Sequence, residues 1–185
     1  MDNNQMNEDV FMAGFGGQGI LLIGNLLAYA AIEAGKNASF FPAYGPEKRG
    51  GAAMCSVIVA DQDIGSPVVG EPGNVLLLNQ NSMEKYFPRV RSGGLCLYNS
   101  SLIDASDYQR SDINVLAIPA NEIATEVGNV KLANMVMLGA LLALNPMVSL
   151  ESIKQALDII IPERNKRFIP ANLQALDRGY DFAKA

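Results

Sequence analysis

Gly14-Phe15-Gly16-Gly17-Gln18-Gly19, entered from Val10-Phe11-Met12-Ala13 and left through Ile20 to Ala34, is the stretch that decides the fold. The four apolar residues before the glycines have the length and character of a buried strand. Ile20 to Ala34 is rich in Leu and Ala, the composition of a helix, and Gly35 stands where a left-handed residue would close it. A strand that passes through glycines into a helix opens a βα unit, and the rest of the chain repeats that alternation.

Outward from this unit, Ala38 to Phe41 reads as a second strand ended by Pro42. No helical period follows before Ala52, so the chain runs on as a glycine-rich loop. Ala53 to Ala60 alternates and is rich in β-formers. A turn at Asp61-Gln62-Asp63 predicts a short antiparallel return near Ile64. Val75 to Leu78, Leu95 to Tyr98 and Val115 to Ile118 are further strands. Helices are predicted over Ser82 to Phe87 and over Asn121 to Val127, the latter capped by Asn121. Lys131 to Leu144 is apolar nearly all round, which predicts a helix buried between layers or against a partner. Ser149 caps the next helix and Pro162 stops it. Arg164 to Arg167 reads as a basic loop, and Pro170 opens a terminal helix.

This order predicts an α/β fold: a single three-layer α/β/α domain with a mostly parallel sheet. The helix-free connection between the second and third strands makes the sheet mixed. Residues 1–8 are expected to be a flexible N-terminus and 9–185 the domain.

At 185 residues and 49% hydrophobic, the chain has enough apolar material for one full core. Its net charge of −5 and lack of a basic stripe argue against a nucleic-acid partner. There is no histidine, which removes the commonest general base and metal ligand. Cys55 and Cys96 are too far apart for a CxxC motif and read as small buried hydrophobes. Iron–sulfur ligation by this chain is not expected, nor is a metal site. The polar, acidic start is unlike a secretory leader, and the Leu132 to Leu144 run is too short to span a membrane. The expectation is a soluble cytoplasmic protein.

Gly14, Gly16 and Gly19 satisfy G-x-G-x-x-G between a strand and a helix, a geometry that can receive a phosphate. A dinucleotide site also needs an acid about 20 residues on, at the end of the second strand, for the ribose hydroxyls. Ser39 and Phe40 occupy that region, and the next acid after Glu33 is Glu47. Two readings of the glycines stay open: an anion-binding turn, or a turn needed only for tight helix–strand packing.

A second segment, Tyr44-Gly45-Pro46-Glu47-Lys48-Arg49-Gly50-Gly51, sets three charges between glycines. Arg49 is suited to meet a carboxylate or phosphate as a planar donor, and Glu47 to act as an acceptor. Both segments leave their strands at one edge of the sheet, the edge where open α/β sheets bind ligands.

Together these segments resemble the gamma subunit of 2-oxoacid:ferredoxin (acceptor) oxidoreductases, of the 2-oxoglutarate, 2-ketoisovalerate or pyruvate type. Later landmarks agree: Ser66-Pro67-Val68, Asn79-Gln80, Gly93-Gly94, Tyr98-Asn99-Ser100-Ser101, Ile118-Pro119-Ala120, Gly128-Asn129, and Asn134-Met135-Val136 with Leu138-Gly139-Ala140-Leu141. The likeness runs from about Val10 to Tyr180. Lys48 departs from it, standing where Met or another residue is common. The resemblance implies a subunit, inactive alone, of a complex that oxidatively decarboxylates a 2-oxoacid to acyl-CoA, CO2 and reduced ferredoxin in anaerobic metabolism. It implies thiamine diphosphate, magnesium and iron–sulfur clusters in alpha, beta and ferredoxin-like partner subunits, with coenzyme A as co-substrate and ferredoxin as acceptor. It also implies no catalytic residue here, and a coenzyme A-facing or partner-docking wall made of Gly14, Gly16, Gly17, Gln18, Gly19, Tyr44, Glu47, Lys48, Arg49, Gly50 and Gly51. An indolepyruvate oxidoreductase small subunit, or a stand-alone nucleotide-binding oxidoreductase, is the alternative.

Overall fold

The first βα unit forms as its sequence dictates. Strand β1 runs over Asn7–Phe15, the glycines turn the chain, and helix α1 covers Ile20–Glu33. Gly35, at φ 74°, closes the helix in the left-handed conformation. The computed structural model describes residues 5–45 and 51–185. In it β1 begins at Asn7, two residues inside the segment expected to be flexible, because Asn7 pairs with Ala60.

Strands β2 (Asn37–Tyr44), β3 (Ala52–Ala60), β4 (Asn74–Leu77), β5 (Leu95–Asn99) and β6 (Asn114–Ile118) complete one six-stranded sheet in the order β2-β3-β1-β4-β5-β6. β3 is antiparallel to both β1 and β2, while β1, β4, β5 and β6 are parallel. The mixed sheet is therefore as expected, and the antiparallel strand lies between the two strands of the first crossover.

Several local expectations are corrected. Pro42 does not end β2 but lies within it, opposite Cys55. It is tolerated because β2 is an edge strand, where a missing N–H need cost no ladder bond. No strand forms near Ile64; residues 61–73 take an irregular path to β4. Helix α3 (Ala120–Val127) is not capped by Asn121, which lies inside its first turn. Instead, the buried Asn99 at the end of β5 accepts from the Ala120 N–H at 3.2 Å, and Ser101 Oγ accepts from the Asn121 N–H at 3.0 Å. A cap supplied from another strand leaves no trace in the helix's own sequence.

Helix α2 (Gln80–Tyr86) is capped by Asn79, which accepts from the Ser82 N–H at 2.8 Å. The predicted helix from Lys131 divides into a 3-10 turn, Val130–Leu132, and α4, Ala133–Leu144. α5 (Leu150–Ile160) has the expected Ser149 cap, and α6 (Ile169–Lys184) carries Pro170 in its first turn. Arg164 to Arg167 belong to a 3-10 helix, Glu163–Phe168, rather than to a loop.

Layering follows from the apolar faces. One sheet face, with Val10, Met12, Cys55 and Val57, packs under α1 and α4, and the other helices except α2 join that core. The opposite face, with Phe11, Val75, Leu77 and Cys96, is covered by α2 and by the segment after β5. Gly24 in α1 allows close approach to β3: a methyl group there would press on Cys55 Sγ and on the Phe40 ring.

All ten residues from Ala133 to Leu142 of α4 are buried within this chain. Its outer side is closed by α6 through a glycine crossing. A Cβ on Gly139 would collide with the Leu176 carbonyl, and one on Gly179 with the Val136 carbonyl. The all-round apolar character of α4 thus records an internal layer rather than a subunit interface.

Candidate functional site

β1 and β4 are adjacent and parallel, but α1 leaves toward one face of the sheet and α2 toward the other. The crevice beyond their carboxyl ends is the point where open α/β sheets bind ligands. The glycine turn sits there. Gly17 and Gly19 take φ of 104° and 76°, values that glycine alone adopts at no cost. Gly19 is the N-cap of α1, with no side-chain cap and no acid in the first turn. The positive end of α1 is thereby left uncompensated.

Gln18 holds the turn in shape. Its Oε1 accepts from the Phe15 N–H at 2.8 Å and from Asn79 Nδ2 at 3.4 Å, and its Nε2 donates to the Leu78 carbonyl at 3.0 Å. One side chain thus ties the end of β1 to the end of β4 and to the cap of α2. Gly14 leaves room for it, since a Cβ there would meet Gln18 Oε1 at 2.5 Å. Asn134, from the start of α4, lies over Gly19 and donates to its carbonyl at 3.3 Å. A Cβ on Gly19 would strike that amide.

The second segment reaches the first. The Gly16 N–H donates to the Gly51 carbonyl at 2.9 Å, and the Gly45 N–H to the Ala52 carbonyl at 2.7 Å. Tyr44 and Gly14 both register with Ala53, on either side of β3, so they stand two strand spacings apart, about 10 Å. Tyr44 is 70% exposed. Gly14, Gly16, Gly17, Gln18, Gly19, Tyr44 and Gly51 therefore share one edge. Glu47, Lys48, Arg49 and Gly50 lie outside the described residues.

Sequence reasoning missed the cation that the fold brings to this edge. Lys131, in the turn before α4, lines two clefts that Gly17 also lines, one of about 620 Å³ and one of about 170 Å³. No short motif links Lys131 to Gly17, so only long-range packing reveals the pairing. Lys85 of α2 lines a third cleft, of about 190 Å³, with Gly14, Phe15 and Gly51.

A further cleft of about 590 Å³ opens at the opposite edge, against Glu8, Asn74, Arg91 and Asn145. There Asn145 Nδ2 donates to Glu8 Oε2 at 2.8 Å and to Asn74 Oδ1 at 3.0 Å, and Asn74 Nδ2 to the Asp9 carbonyl at 2.8 Å. Burial pushes the Asp9 carboxyl up, against the pull of the Gly73 N–H and of Arg91. These groups satisfy one another, which marks a structural network rather than a site awaiting a ligand.

The two cysteines answer the question of cluster chemistry. Cys55 belongs to the core on one face of the sheet and Cys96 to the core on the other, so they cannot share a cluster. Burial pushes both thiols up to about 12. Among the described residues no group of three or more His, Cys, Asp or Glu is placed to hold a metal ion. A classical dinucleotide mode also fits poorly, because β3 separates β1 from the end of β2, where the ribose acid would belong.

Residues 9–182 match the family model described as pyruvate ferredoxin/flavodoxin oxidoreductase. The chain belongs to this family. It is 39% identical over 176 residues to ketoisovalerate oxidoreductase subunit VorA of Methanothermobacter marburgensis, covering 95% of this chain and 36% of VorA. The chain thus spans about a third of the VorA relatives it matches. With 2-oxoglutarate synthase subunit KorC of Methanocaldococcus jannaschii it shares 36% identity over 184 residues, covering 97% of this chain and 96% of KorC. The crystal structure of the keto/oxoacid ferredoxin oxidoreductase gamma subunit from Geobacter sulfurreducens superposes with a TM-score of 0.81 at 32% identity, covering 96% of this chain and 98% of that one. The six-stranded mixed sheet is the fold of that gamma subunit, and the family members it resembles are oxidoreductase subunits. No helix among the described residues is long and apolar enough to cross a membrane.

Proposed function

We propose that this chain is the gamma subunit of a multisubunit 2-oxoacid:ferredoxin oxidoreductase in the cytoplasm. The complex converts a 2-oxoacid and coenzyme A to acyl-CoA and CO2, passing the electrons to ferredoxin. The observation that carries this reading is coextension: family likeness covers nearly all of this chain and nearly all of KorC and of the Geobacter gamma subunit. Decarboxylation requires an electron sink and electron transfer requires clusters, which thiamine diphosphate and iron–sulfur centres supply in the alpha, beta and ferredoxin-like subunits. Two cysteines on opposite sheet faces and a chain without histidine support that division of labour. The oxoacid is 2-oxoglutarate or a branched-chain acid, in line with the KorC and VorA likenesses.

This subunit's own contribution is to wall the place where coenzyme A approaches. The uncapped N-terminus of α1, presented by Gly17 and Gly19, supports the reading, as does Lys131 beside it. Arg49 is assigned to the same wall on the family likeness. Native purification followed by mass spectrometry tests the proposal: thiamine-binding and ferredoxin-like chains should accompany this one. The isolated complex should reduce a low-potential acceptor only when a 2-oxoacid and coenzyme A are both present. Purification without such partners would refute it.

A further inference from the structure

The two faces of the sheet are covered unequally. α1, α3, α4, α5 and α6 all pack on one side. Among the described residues α2, seven residues long, is the only α-helix on the other.

Pairing register shows which strands α2 leaves bare. Phe11, Ser56 and Phe41 form one row across β1, β3 and β2. Ala13, Met54 and Ala43 form the next row toward the glycine turn, and Phe15 and Ala52 the one after. Alternate residues of a strand share a face, so all of these lie on the α2 side. Phe11 and Ala13 are buried in the core beneath α2. Away from the turn, Ile58 and Ala60 are buried and line a cleft with Ile64 and Ser66 of the irregular segment. Nearer the turn the face is open: Phe41 is 47% exposed, Phe15 40%, Ala52 is exposed, and Ala43 and Met54 are half-buried.

An antiparallel pair that turns one face to water normally carries polar residues there. The bare floor over β3 and β2 is instead Phe, Ala and Met, without a charge. It is two strands wide, about 10 Å, which is the diameter of one α-helix. Two cations stand on its rim. Lys85 of α2 shares a cleft with Phe15, Gly51 and Ala52, and its Nζ lies 5.3 Å from the centroid of the Tyr86 ring. Arg89, in the 3-10 turn Phe87–Arg89, lies 5.9 Å from the Phe11 centroid and 5.6 Å from that of Tyr86. Both are exposed, and neither makes an ion pair among the described residues. In a chain of net charge −5, this rim selects a partner with acids beside an apolar stripe.

We propose that this face seats one amphipathic helix of another subunit. Its apolar stripe lies on Phe41, Met54 and Phe15, and acids on its flank face Lys85 and Arg89. Resting on the gamma-subunit reading, this helix completes the layer that α2 begins. Phe15 belongs both to the floor and to the glycine turn, so the seated helix ends beside the edge shared by Gly16 and Gly51.

The test is carbodiimide cross-linking of the natively purified complex, which joins a lysine to a carboxylate in contact with it, read by mass spectrometry. Lys85 should link to an Asp or Glu of a partner chain, in a segment whose apolar residues recur at helical spacing. Radical footprinting should label Phe41 and Met54 strongly in the isolated chain and several-fold less in the complex. Phe41→Asp, and the double variant Lys85→Glu with Arg89→Glu, should each weaken assembly about tenfold or more, the charge variant most at low salt. The melting temperature of the isolated chain should be unchanged, because all three side chains are exposed. Should Phe41→Asp fail to fold, the charge reversal decides. No Lys85 link, a link to a second copy of this chain, or a link to a partner segment without helical spacing overturns the proposal. So does equal labelling in the two states, or assembly indifferent to the variants. Absence of any co-purifying partner refutes the subunit reading and the docked helix together. A complete complex in which Phe41 is still labelled removes the helix alone.

Discussion

Gln18 shows how far a single residue's role can differ from what its motif suggests. In the sequence it is the variable letter of a glycine turn and a candidate ligand contact. In the fold its amide is spent on Phe15, Leu78 and Asn79, which makes it a positioning residue for the edge. Gln18→Ala should cost about 1–3 kcal/mol of stability, the range for leaving partly buried backbone groups unpaired, read as a lower urea midpoint at unchanged slope. The glycines, by contrast, could be read directly, since left-handed φ at Gly17 and Gly19 is a property of the residue type. The cysteines were equally legible as buried thiols. With each thiol raised from 9.0 to about 12 by burial, the unfolded chain ionises first. Stability should therefore fall as pH rises above about 9, because the unfolded state alone gains from thiolate formation until the folded value is reached. At pH 8 both thiols should react with a colorimetric disulfide reagent only after denaturant is added; rapid labelling of the native chain would contradict their placement.

Elements were legible where their signals are local. The βα opening, the Ser149 cap and the strand at β3 follow from composition, capping chemistry and alternation within one element. Pro42 and α3 were misread because the deciding facts lie in other elements: the edge position of β2, and Asn99 and Ser101 supplying the cap. α4 is the clearest case, because a uniformly apolar helix looks the same whether a subunit or a neighbouring helix covers it. Here Gly139 and Gly179 let α4 and α6 cross backbone to backbone. Either glycine changed to alanine should destabilise by about 1–3 kcal/mol or more, as overpacking does. Since both sit at one crossing, the double variant should cost less than the sum of the two, once the first has pushed the helices apart. Thermal unfolding of the two singles and the double measures that coupling; full additivity would mean that the helices do not share this contact.

At the scale of the whole molecule, the role proposed for the chain is that of one wall of a larger catalyst. Its edge is built from segments distant in sequence: the glycine turn, Gly51, Asn79 and Lys131. Arg49→Ala in the assembled complex should raise the KM for coenzyme A several-fold with subunit stoichiometry intact if the loop faces the co-substrate. Loss of subunits on gel filtration would assign it to docking instead, and no change in either measure would remove it from the mechanism.

By itself the sequence determined the α/β class, the single domain, the glycine turn and its unmet need for a ribose acid, and the family. The family rests on the resemblance of the Gly14–Gly19 and Tyr44–Gly51 segments to known members; the rest follows from residue type, local periodicity and spacing, which survive without knowledge of contacts. Only the tertiary structure decided that β3 separates β1 from β2, that Cys55 and Cys96 face opposite cores, that α6 rather than a partner covers α4, and that Lys131 lines the same clefts as Gly17. Each of these is a pairing between residues far apart along the chain. Its free energy comes from packing and hydrogen bonds that exist only once the layers have closed, so no local pattern encodes it.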